Sequence, residues 1–192
     1  MLYVFDMGNV VITHIHCLEA IIDAYQDRVD KDAFLADFRA YEVPLMEGSL
    51  PTRAYWEHWQ RRFGVTISDE PFATFFHPRP NEDAIQVIRR LRGRGERVVC
   101  GSNTFGPHWD ILSGMGLTDE LFDATYPSHV IRLSKPEPEY YRYILQKEGY
   151  TAGQAWFIDD YECNIQAASQ VGMRTVLYDY RSSDSRDALL SL

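Results

Sequence analysis

The sequence predicts an α/β fold, in which a doubly wound parallel sheet carries a helical cap inserted after the first strand. From residue 78 onward, short apolar runs that suit buried strands alternate with amphipathic helical patterns. Residues 14–77 interrupt this alternation and carry only helical patterns. We therefore expect a core domain of residues 1–13 and 78–192 and a helical cap domain of residues 14–77.

Composition and charge narrow the class of protein. The 192 residues are 45% hydrophobic, which is enough for a buried core, and the net charge is −9. Such an acidic chain is a poor partner for nucleic acid or an anionic membrane. The three cysteines are widely spaced, as is typical of reduced thiols. No signal peptide or membrane span is indicated, so we expect a cytoplasmic protein. We also expect a monomer or weak homodimer.

The first predicted strand is the apolar run at residues 2–5, which ends directly in Asp6. A turn of mostly small residues, MGNV at residues 7–10, follows it. In open α/β sheets, ligands bind beyond the carboxyl ends of the strands. An acidic residue at this place is therefore a candidate for chemistry.

The cap is predicted to be a small helical bundle. Its apolar residues recur at spacings of three and four, which places each set on one helix face. The sets are Leu18, Ile21, Ile22 and Tyr25; Phe34, Leu35, Phe38 and Tyr41; and Tyr55, Trp56, Trp59 and Phe63. Turn-forming residues separate them at Pro44, Gly48, Pro51 and Gly64. We expect the aromatic side chains to form the core of the bundle rather than a substrate surface.

Behind the cap, strands and helices alternate in a regular order. The predicted strands are residues 97–101, 122–125, 155–158 and 175–178. The predicted helices contain residues 84–91, 109–114, 138–149 and 165–171, and a polar tail ends the chain. Elements of these lengths favour a parallel, doubly wound sheet.

Polar residues stand at the ends of these strands or just beyond them. They are Asp6, Ser102, Asn103, Lys135, Asp159 and Asp160. The set supplies a carboxylate nucleophile, donors for phosphate oxygens, a cation and carboxylates for Mg²⁺, which are the parts that phosphoryl transfer needs. Each residue alone has a plain explanation, such as a helix cap or a turn. Their occurrence together indicates a site.

Four segments resemble, in order, the motifs of the haloacid dehalogenase (HAD) superfamily of aspartate-nucleophile hydrolases. They are FDMGNV at 5–10, GSNT at 101–104, SKPEP at 134–138 and FIDD at 157–160, the last followed by Asn164. The motifs look most like those of bacterial α-D-glucose-1-phosphate phosphatases. The resemblance implies a Rossmann-like core under a cap and a phosphoric monoester hydrolase acting on a small phosphorylated metabolite, such as a sugar phosphate.

The resemblance also implies roles for the motif residues. Asp6 attacks phosphorus and becomes an aspartyl phosphate. Ser102 and the backbone of Asn103 bind the transferring phosphoryl group. Lys135 neutralises the crowded carboxylates and the phosphoryl oxygens. Physical chemistry agrees, because carboxylates this close repel each other unless cations offset them.

A Mg²⁺ cofactor is implied in the same way. Its ligands by resemblance are Asp6, the backbone carbonyl of Gly8, and Asp160. Asp160 is preferred to Asp159 because its spacing to Asn164 matches that of the family. Asp159 and Asn164 then lie nearby, as ligands through water or as supports for the ligands.

Gly8 departs from the commoner pattern of the superfamily, which places a second aspartate two positions after the nucleophile. That aspartate protonates the leaving oxygen, which glycine cannot do. We favour a substrate with a good leaving group, such as the anomeric oxygen of a sugar 1-phosphate. Two other interpretations stay open. His14, His16 or a cap residue supplies the proton, or the protein binds a phosphometabolite without turning it over.

Three further points have alternative interpretations. Carbon–halogen hydrolysis on Asp6 is the alternative reaction, and the pair at residues 159–160 argues against it because dehalogenases need no Mg²⁺. In the cap, Glu47 either reaches the substrate or belongs to a turn between helices. The two histidines at residues 14 and 16 are interpreted as surface residues, since a zinc site needs more ligands.

Overall fold

The secondary structure is seen in a computed structural model that describes residues 1–67 and 69–192. The strands are β1 (Leu2–Phe5), β2 (Ile12–Thr13), β3 (Arg79–Pro80), β4 (Arg97–Ser102), β5 (Ala124–Pro127), β6 (Ala155–Asp159) and β7 (Arg174–Leu177). The helices are α1 (Leu18–Tyr25), α2 (Lys31–Met46), α3 (Thr52–Phe63), α4 (Pro71–Thr74), α5 (Glu82–Gly93), α6 (Gly106–Gly114), α7 (Ser128–Ile131), α8 (Pro138–Glu148), α9 (Glu162–Val171) and α10 (Ser183–Leu190).

The main sheet has five parallel strands in the order β5-β4-β1-β6-β7. The central strand, β1, pairs with β4 on one side and with β6 on the other. The chain extends the sheet first in one direction and then in the other, so the strand order reverses at β1. Ligands bind beyond the strand ends at such a reversal. The predicted fold class is confirmed.

Alternate residues of β1 face the two sides of the sheet. Tyr3 and Phe5 belong to a hydrophobic cluster that includes residues of α5, whereas Leu2 and Val4 belong to a cluster with α8 and α9. All four are buried. Burial on both faces explains why the strand is a continuous apolar run.

The segment from α1 to α4 lies between β2 and β3. These two short strands pair antiparallel, with Thr13 opposite Arg79, so the chain leaves and re-enters the core side by side. The sequence analysis missed this ribbon, because two residues are too few to show an alternating pattern. The division into core and cap domains stays a prediction, and the ribbon falls where its boundaries were placed.

The aromatic residues of the cap form a packed cluster, as the spacing predicts. Trp59 and Tyr55 are fully buried. The Trp59 ring meets the rings of Phe34 and Tyr25 edge to face, with centroid distances of 5.4 and 5.0 Å. Aromatic pairs in this geometry stabilise a core beyond the area they bury.

Pro44 does not end a helix as its residue type suggests. It lies inside α2, which continues to Met46. Proline lacks the N–H that would bond the carbonyl of residue 40, so α2 loses one bond here. Its last turn is still closed by the Glu47 N–H, which donates to the Val43 carbonyl at 2.9 Å. The free carbonyl oxygen of Pro44 accepts bonds from the Leu50 N–H at 3.0 Å and the Ser49 hydroxyl at 3.2 Å.

Two predictions near the sheet edges were inexact. The strand expected at residues 122–125 is β5, two residues later, because Asp123 is used to bond both the N–H and the C=O of Val98. The polar tail contains α10, which buries Leu189. In the described residues, no helix is both long and apolar enough to cross a membrane.

Candidate active site

Three aspartates come together at the carboxyl edge of the sheet. Asp6 follows β1, Asp159 ends β6, and Asp160 is next in the chain. One carboxylate oxygen of each lies within 4.8 Å of the other two. Asp6 and Asp159 are buried, and Asp160 is half-buried. Three carboxylates at this distance repel one another strongly unless a cation lies among them.

Lys135 supplies one such cation. Its Nζ donates to Asp6 Oδ1 at 2.6 Å and to Asp159 Oδ2 at 2.7 Å, and its side chain is buried. Burial alone would lower the pKa of the ammonium group. The Asp159 and Asp6 carboxylates outweigh burial and hold the pKa of Lys135 well above its ordinary value, so it stays charged.

The lysine does not fully offset the burial of Asp6. Burial raises the pKa of this carboxyl to about 7; Lys135 lowers it, and Asp159 raises it further. The charge balance explains the result, since one ammonium faces three carboxylates. A second cation at the free side of the cluster would favour the ionised form of Asp6.

Asp159 has both oxygens engaged by the protein. Its Oδ1 accepts the Tyr161 N–H at 2.8 Å and the Asn164 side-chain amide at 2.9 Å, while Oδ2 accepts from Lys135. Asn164 is itself buried in the first turn of α9. These bonds fix the orientation of Asp159 and, through Lys135, that of Asp6.

Asp160 has a partner that the sequence analysis did not identify. Asn9 donates from its side-chain amide to Asp160 Oδ2 at 2.9 Å, across 151 residues of chain. The Asn9 backbone is left-handed, with φ 53°, a conformation that asparagine adopts more readily than most residues. The turn after β1 thus orients Asp160, the carboxylate that follows β6.

Gly8 stands beside the nucleophile candidate with no side chain. A Cβ built at Gly8 lies 3.8 Å from Asp6 Oδ2 and 3.0 Å from the Cδ1 atom of Ile15. A longer side chain at this position would therefore reach the free oxygen of Asp6. Glycine leaves that space open to a ligand.

The end of β4 adds Ser102 and Asn103 to the site. Ser102 is buried and lines the cavity described below. The Asn103 side chain donates to the Lys135 carbonyl at 2.8 Å and accepts from the Lys135 N–H at 2.9 Å. These two hydrogen bonds join the loop after β4 to the loop that carries Lys135. Because the Asn103 amide is used in this way, its backbone is the part that could bind a ligand.

A cavity of about 470 Å³ lies between the strand ends and the cap, and Gly8, Ser102 and Asn103 are the predicted site residues that line it. Its volume lies within the usual range for small-molecule sites. Met7, Gly8, Ser102 and Asn103 line it on the sheet side. Its other walls come from α1, α2, α6 and residues 76 and 105. A molecule in the cavity could reach the cluster from the side of Gly8.

Glu47 contacts the core rather than the cavity lining. Its Oε1 accepts from the Ser134 hydroxyl at 2.7 Å, directly before Lys135 in the chain. The next residue, Gly48, has φ 65° and packs so closely on the His129 carbonyl that an added Cβ would lie 2.3 Å from its oxygen. The end of α2 is therefore docked on the loop that carries the lysine.

The two histidines after β2 have different surroundings. His14 is exposed, and its Nδ1 lies 3.0 Å from the Thr13 hydroxyl. His16 is also exposed but lines the cavity. Neither joins a metal-binding group in the described part of the chain.

The donor set of the cluster suits Mg²⁺. This hard ion prefers oxygen ligands and is often held by one or two carboxylates. Asp160 uses Oδ2 for its bond with Asn9, and one of its oxygens lies within 4.8 Å of an oxygen of Asp6 and of Asp159. The predicted site residues therefore meet around a place where a divalent cation fits.

Comparison with known proteins identifies the family. The family model for haloacid dehalogenase-like hydrolases matches residues 1–172 of the chain. The chain belongs to this family. It is 30% identical to the phosphoglycolate phosphatase of Rhodospirillum rubrum over 210 aligned positions, which cover 98% of this chain and 83% of that protein. A sesquiterpene phosphatase of Aspergillus oryzae is 27% identical over 187 positions, covering 88% of this chain and 85% of that protein.

A solved structure supports the HAD fold. An HAD family enzyme from Bacteroides thetaiotaomicron superposes with a TM-score of 0.82 at 20% identity, covering 97% of both chains. A mutant of that enzyme was solved in complex with magnesium and inorganic phosphate, with a TM-score of 0.80, 19% identity and 95% of both chains covered. The chain is thus a hydrolase of the HAD family with phosphatases among its relatives.

Proposed function

We propose that the protein is a Mg²⁺-dependent phosphatase that hydrolyses a small phosphorylated metabolite through an aspartyl phosphate on Asp6. One observation carries the proposal: Lys135 holds Asp6 Oδ1, while Asp6 Oδ2 is the oxygen nearest the open space at Gly8. A carboxylate fixed by one oxygen and free at the other is suited to nucleophilic attack.

The reaction takes two steps. Asp6 Oδ2 attacks phosphorus, a new P–O bond forms, and the bond from phosphorus to the ester oxygen of the substrate breaks. The leaving oxygen takes a proton from solvent. A water molecule then attacks the same phosphorus, which releases inorganic phosphate and restores the Asp6 carboxylate.

The phosphoryl group is bound by donors from two loops. The Ser102 hydroxyl, the Asn103 backbone N–H and the Lys135 ammonium are placed to contact its oxygens, which carry most of the transition-state charge. The bonds between Asn103 and Lys135 hold these donors in one arrangement before a substrate binds. Pre-set donors need no reorganisation during the reaction.

Asp6, Asp160 and the Gly8 carbonyl are the residues we assign to Mg²⁺; Asp6 would use Oδ1, which Lys135 also contacts, so that Oδ2 stays free to attack phosphorus. When bound, the ion offsets the negative charge of the nucleophile and of the phosphoryl oxygens. Asp159 and Asn164 act as supports, because the bonds of Asp159 are already made within the protein. The solved complex of the Bacteroides enzyme with magnesium and phosphate supports the choice of ion.

Gly8 favours a substrate with an acidic leaving oxygen. A sugar phosphate such as glucose 1-phosphate meets this condition, since its anomeric oxygen is a better leaving group than an ordinary alcohol. The names of the relatives extend the choice to phosphoglycolate and to phosphorylated sesquiterpenes. These classes share the phosphate group and differ in the organic group that the cap would cover.

Phosphate release tests the proposal. With Mg²⁺, 4-nitrophenyl phosphate, glucose 1-phosphate and phosphoglycolate are incubated with the wild type and with Asp6→Asn. We expect release by the wild type from at least one ester, and background release by the variant or after EDTA treatment, because each removes a required part. Asp119→Asn, at an exposed aspartate, is the matched control and keeps full activity.

Turnover by Asp6→Asn equal to that of the wild type would contradict the assignment of the nucleophile. The same assay separates the alternative reaction. Halide release from 2-haloacids in the presence of EDTA, without phosphate release from any ester, would identify a dehalogenase instead. Binding of phosphate esters with no turnover would identify a non-catalytic binding protein.

A further inference from the structure

The cavity between the strand ends and the cap is built mainly from hydrocarbon. Helix α2 presents Leu35, Phe38 and Met46 to it, at spacings that place them on one helix face. Helix α1 adds Leu18, and Phe105 stands before α6. These side chains line the same cavity as Ser102 and Asn103, the residues proposed to bind phosphate, so they would surround the organic part of a bound ester.

The polar residues inside this wall are few: His108 and Glu42 lie among the apolar side chains, whereas His16 and Glu19 line the cavity from exposed positions. His108 is buried, stacks on the Phe76 ring at a centroid distance of 3.8 Å, and has its Nε2 3.6 Å from Cys17 Sγ. Burial lowers the pKa of His108 to about 4, so the ring is neutral. Glu42 is half-buried, and burial raises its pKa above the ordinary value.

We propose that the organic group of the substrate is apolar, a hydrocarbon body rather than a sugar. The inference rests on the proposed phosphatase function and names its substrate class. A sugar in this cavity would exchange water for apolar side chains around its hydroxyl groups, and unpaired buried hydroxyls are costly. A hydrocarbon body gains affinity from the same wall, by about fourfold for each methylene removed from water.

The apolar body and the glycine at position 8 together restrict the ester further. An unactivated aliphatic alcohol is a poor leaving group, and Gly8 offers it no proton. Aryl phosphates combine an apolar body with a more acidic leaving oxygen. A series of 4-alkylphenyl phosphates therefore varies the apolar body while the leaving group stays nearly constant, which makes it the probe of choice.

The experiment measures dissociation constants on the Asp6→Asn variant with Mg²⁺, so that binding is read without turnover. From 4-methylphenyl to 4-butylphenyl phosphate we expect the dissociation constant to fall about fourfold for each methylene. Glucose 1-phosphate is expected to bind more weakly than 4-methylphenyl phosphate. A flat series, or tighter binding of glucose 1-phosphate, would overturn the inference.

Turnover of the same esters by the wild type is measured in parallel and tests the proposed function separately. A steep affinity series without phosphate release would contradict the phosphatase and uphold the apolar site. Phosphate release from glucose 1-phosphate together with a flat affinity series would uphold the phosphatase and contradict the apolar site.

Two variants test whether the alkyl chain of the ester binds against the cavity wall. Leu35→Asn and Met46→Gln each place an amide in the wall, and either should weaken binding of 4-butylphenyl phosphate about tenfold, the loss of one to two buried methylenes. Val43→Asn makes the same kind of change on the exposed side of α2 and should bind as the parent does. Cavity variants that bind the butyl ester as tightly as Val43→Asn would overturn the inference.

Discussion

At the sheet edge, Lys135 and three aspartates form a charged cluster held by short hydrogen bonds, whereas the cavity between the strand ends and the cap presents hydrocarbon from α1, α2 and α6. The two regions meet at Gly8 and Ser102. Their difference assigns separate tasks to separate parts of the chain. We propose that the strand ends position the reacting groups and that the helices inserted after β2 select the substrate.

Hydrogen bonds fix the side chains of the charged cluster, whereas packing alone holds most side chains of the cavity wall. Asp159 accepts three hydrogen bonds, from Tyr161, Asn164 and Lys135, and Asn103 and Lys135 bond each other twice. The helices that wall the cavity contribute mostly apolar side chains, which are held by packing rather than by hydrogen bonds. We expect substitutions on the charged side to affect catalysis for every ester, and those in the cavity to affect some esters more than others.

The largest effect is expected for Lys135→Met. Loss of the ammonium leaves the Asp6 and Asp159 carboxylates unpaired and removes a phosphoryl contact. We expect kcat to fall about 10³-fold for all esters, as when one preset transition-state contact is removed. Steady-state kinetics on two esters measures it. Lys147→Met, at an exposed lysine, is the control. A fall in kcat for one ester alone would contradict the proposal that the strand ends act on every ester while the cap helices select among them.

Acid should remove the contribution that neutral His108 makes to stability; it is read as the difference between the wild type and His108→Gln, because Asp6, whose pKa is raised to about 7, acts in the opposite direction. Folding lowers the pKa of His108 to about 4 from an ordinary value of 6.5, so its contribution to stability is present above pH 6.5 and is lost as the pH falls toward 4. The loss is expected to reach about 3 kcal/mol. Urea unfolding between pH 7 and 4 measures it.

His108→Gln removes this titration and should show a shallower decline with acid. His77→Gln, at an exposed histidine, should follow the wild type. If His108→Gln and the wild type lose stability in parallel, the neutral, apolar character assigned to this wall is wrong.

The smallest effect is expected for Gly8→Asp, at the junction of the two regions. The new Cβ crowds only the flexible end of Ile15, and the carboxyl group could protonate the leaving oxygen. We expect kcat/KM for an aliphatic phosphate to rise about tenfold, less than the 10²–10⁴-fold range for well-positioned groups, with less change for an aryl phosphate. Gly8→Asn has the same size without the acid. Equal rates for the two variants would contradict the interpretation of Gly8.

Much of the charged side could be predicted from the sequence. Asp6 and Asp159 each follow a run of apolar residues, and parallel strands bring such ends to one edge. Lys135 was less visible, because it stands in a loop and only its motif placed it near the aspartates. The structure brings these residues together at hydrogen-bond distances.

The remaining features depend on tertiary contacts that have no local pattern. Asn9 reaches Asp160 because its backbone adopts φ 53°, and Glu47 meets Ser134 because the end of α2 docks on the core. The character of the cavity likewise depends on how α2 packs over the strand ends. A helical pattern shows which side chains share a face, but not whether that face covers a core or a substrate.

The central claim is that Asp6 carries the phosphoryl group. Gly8 offers no base to activate water, so the aspartyl phosphate should accumulate during turnover. Acid quenching of the wild type with Mg²⁺ and 4-nitrophenyl phosphate, followed by peptide mass spectrometry, measures this directly. The account predicts a phosphoryl group on the peptide that contains Asp6, and none in Asp6→Asn. A phosphoryl group on another residue, or undiminished turnover by Asp6→Asn, would contradict it.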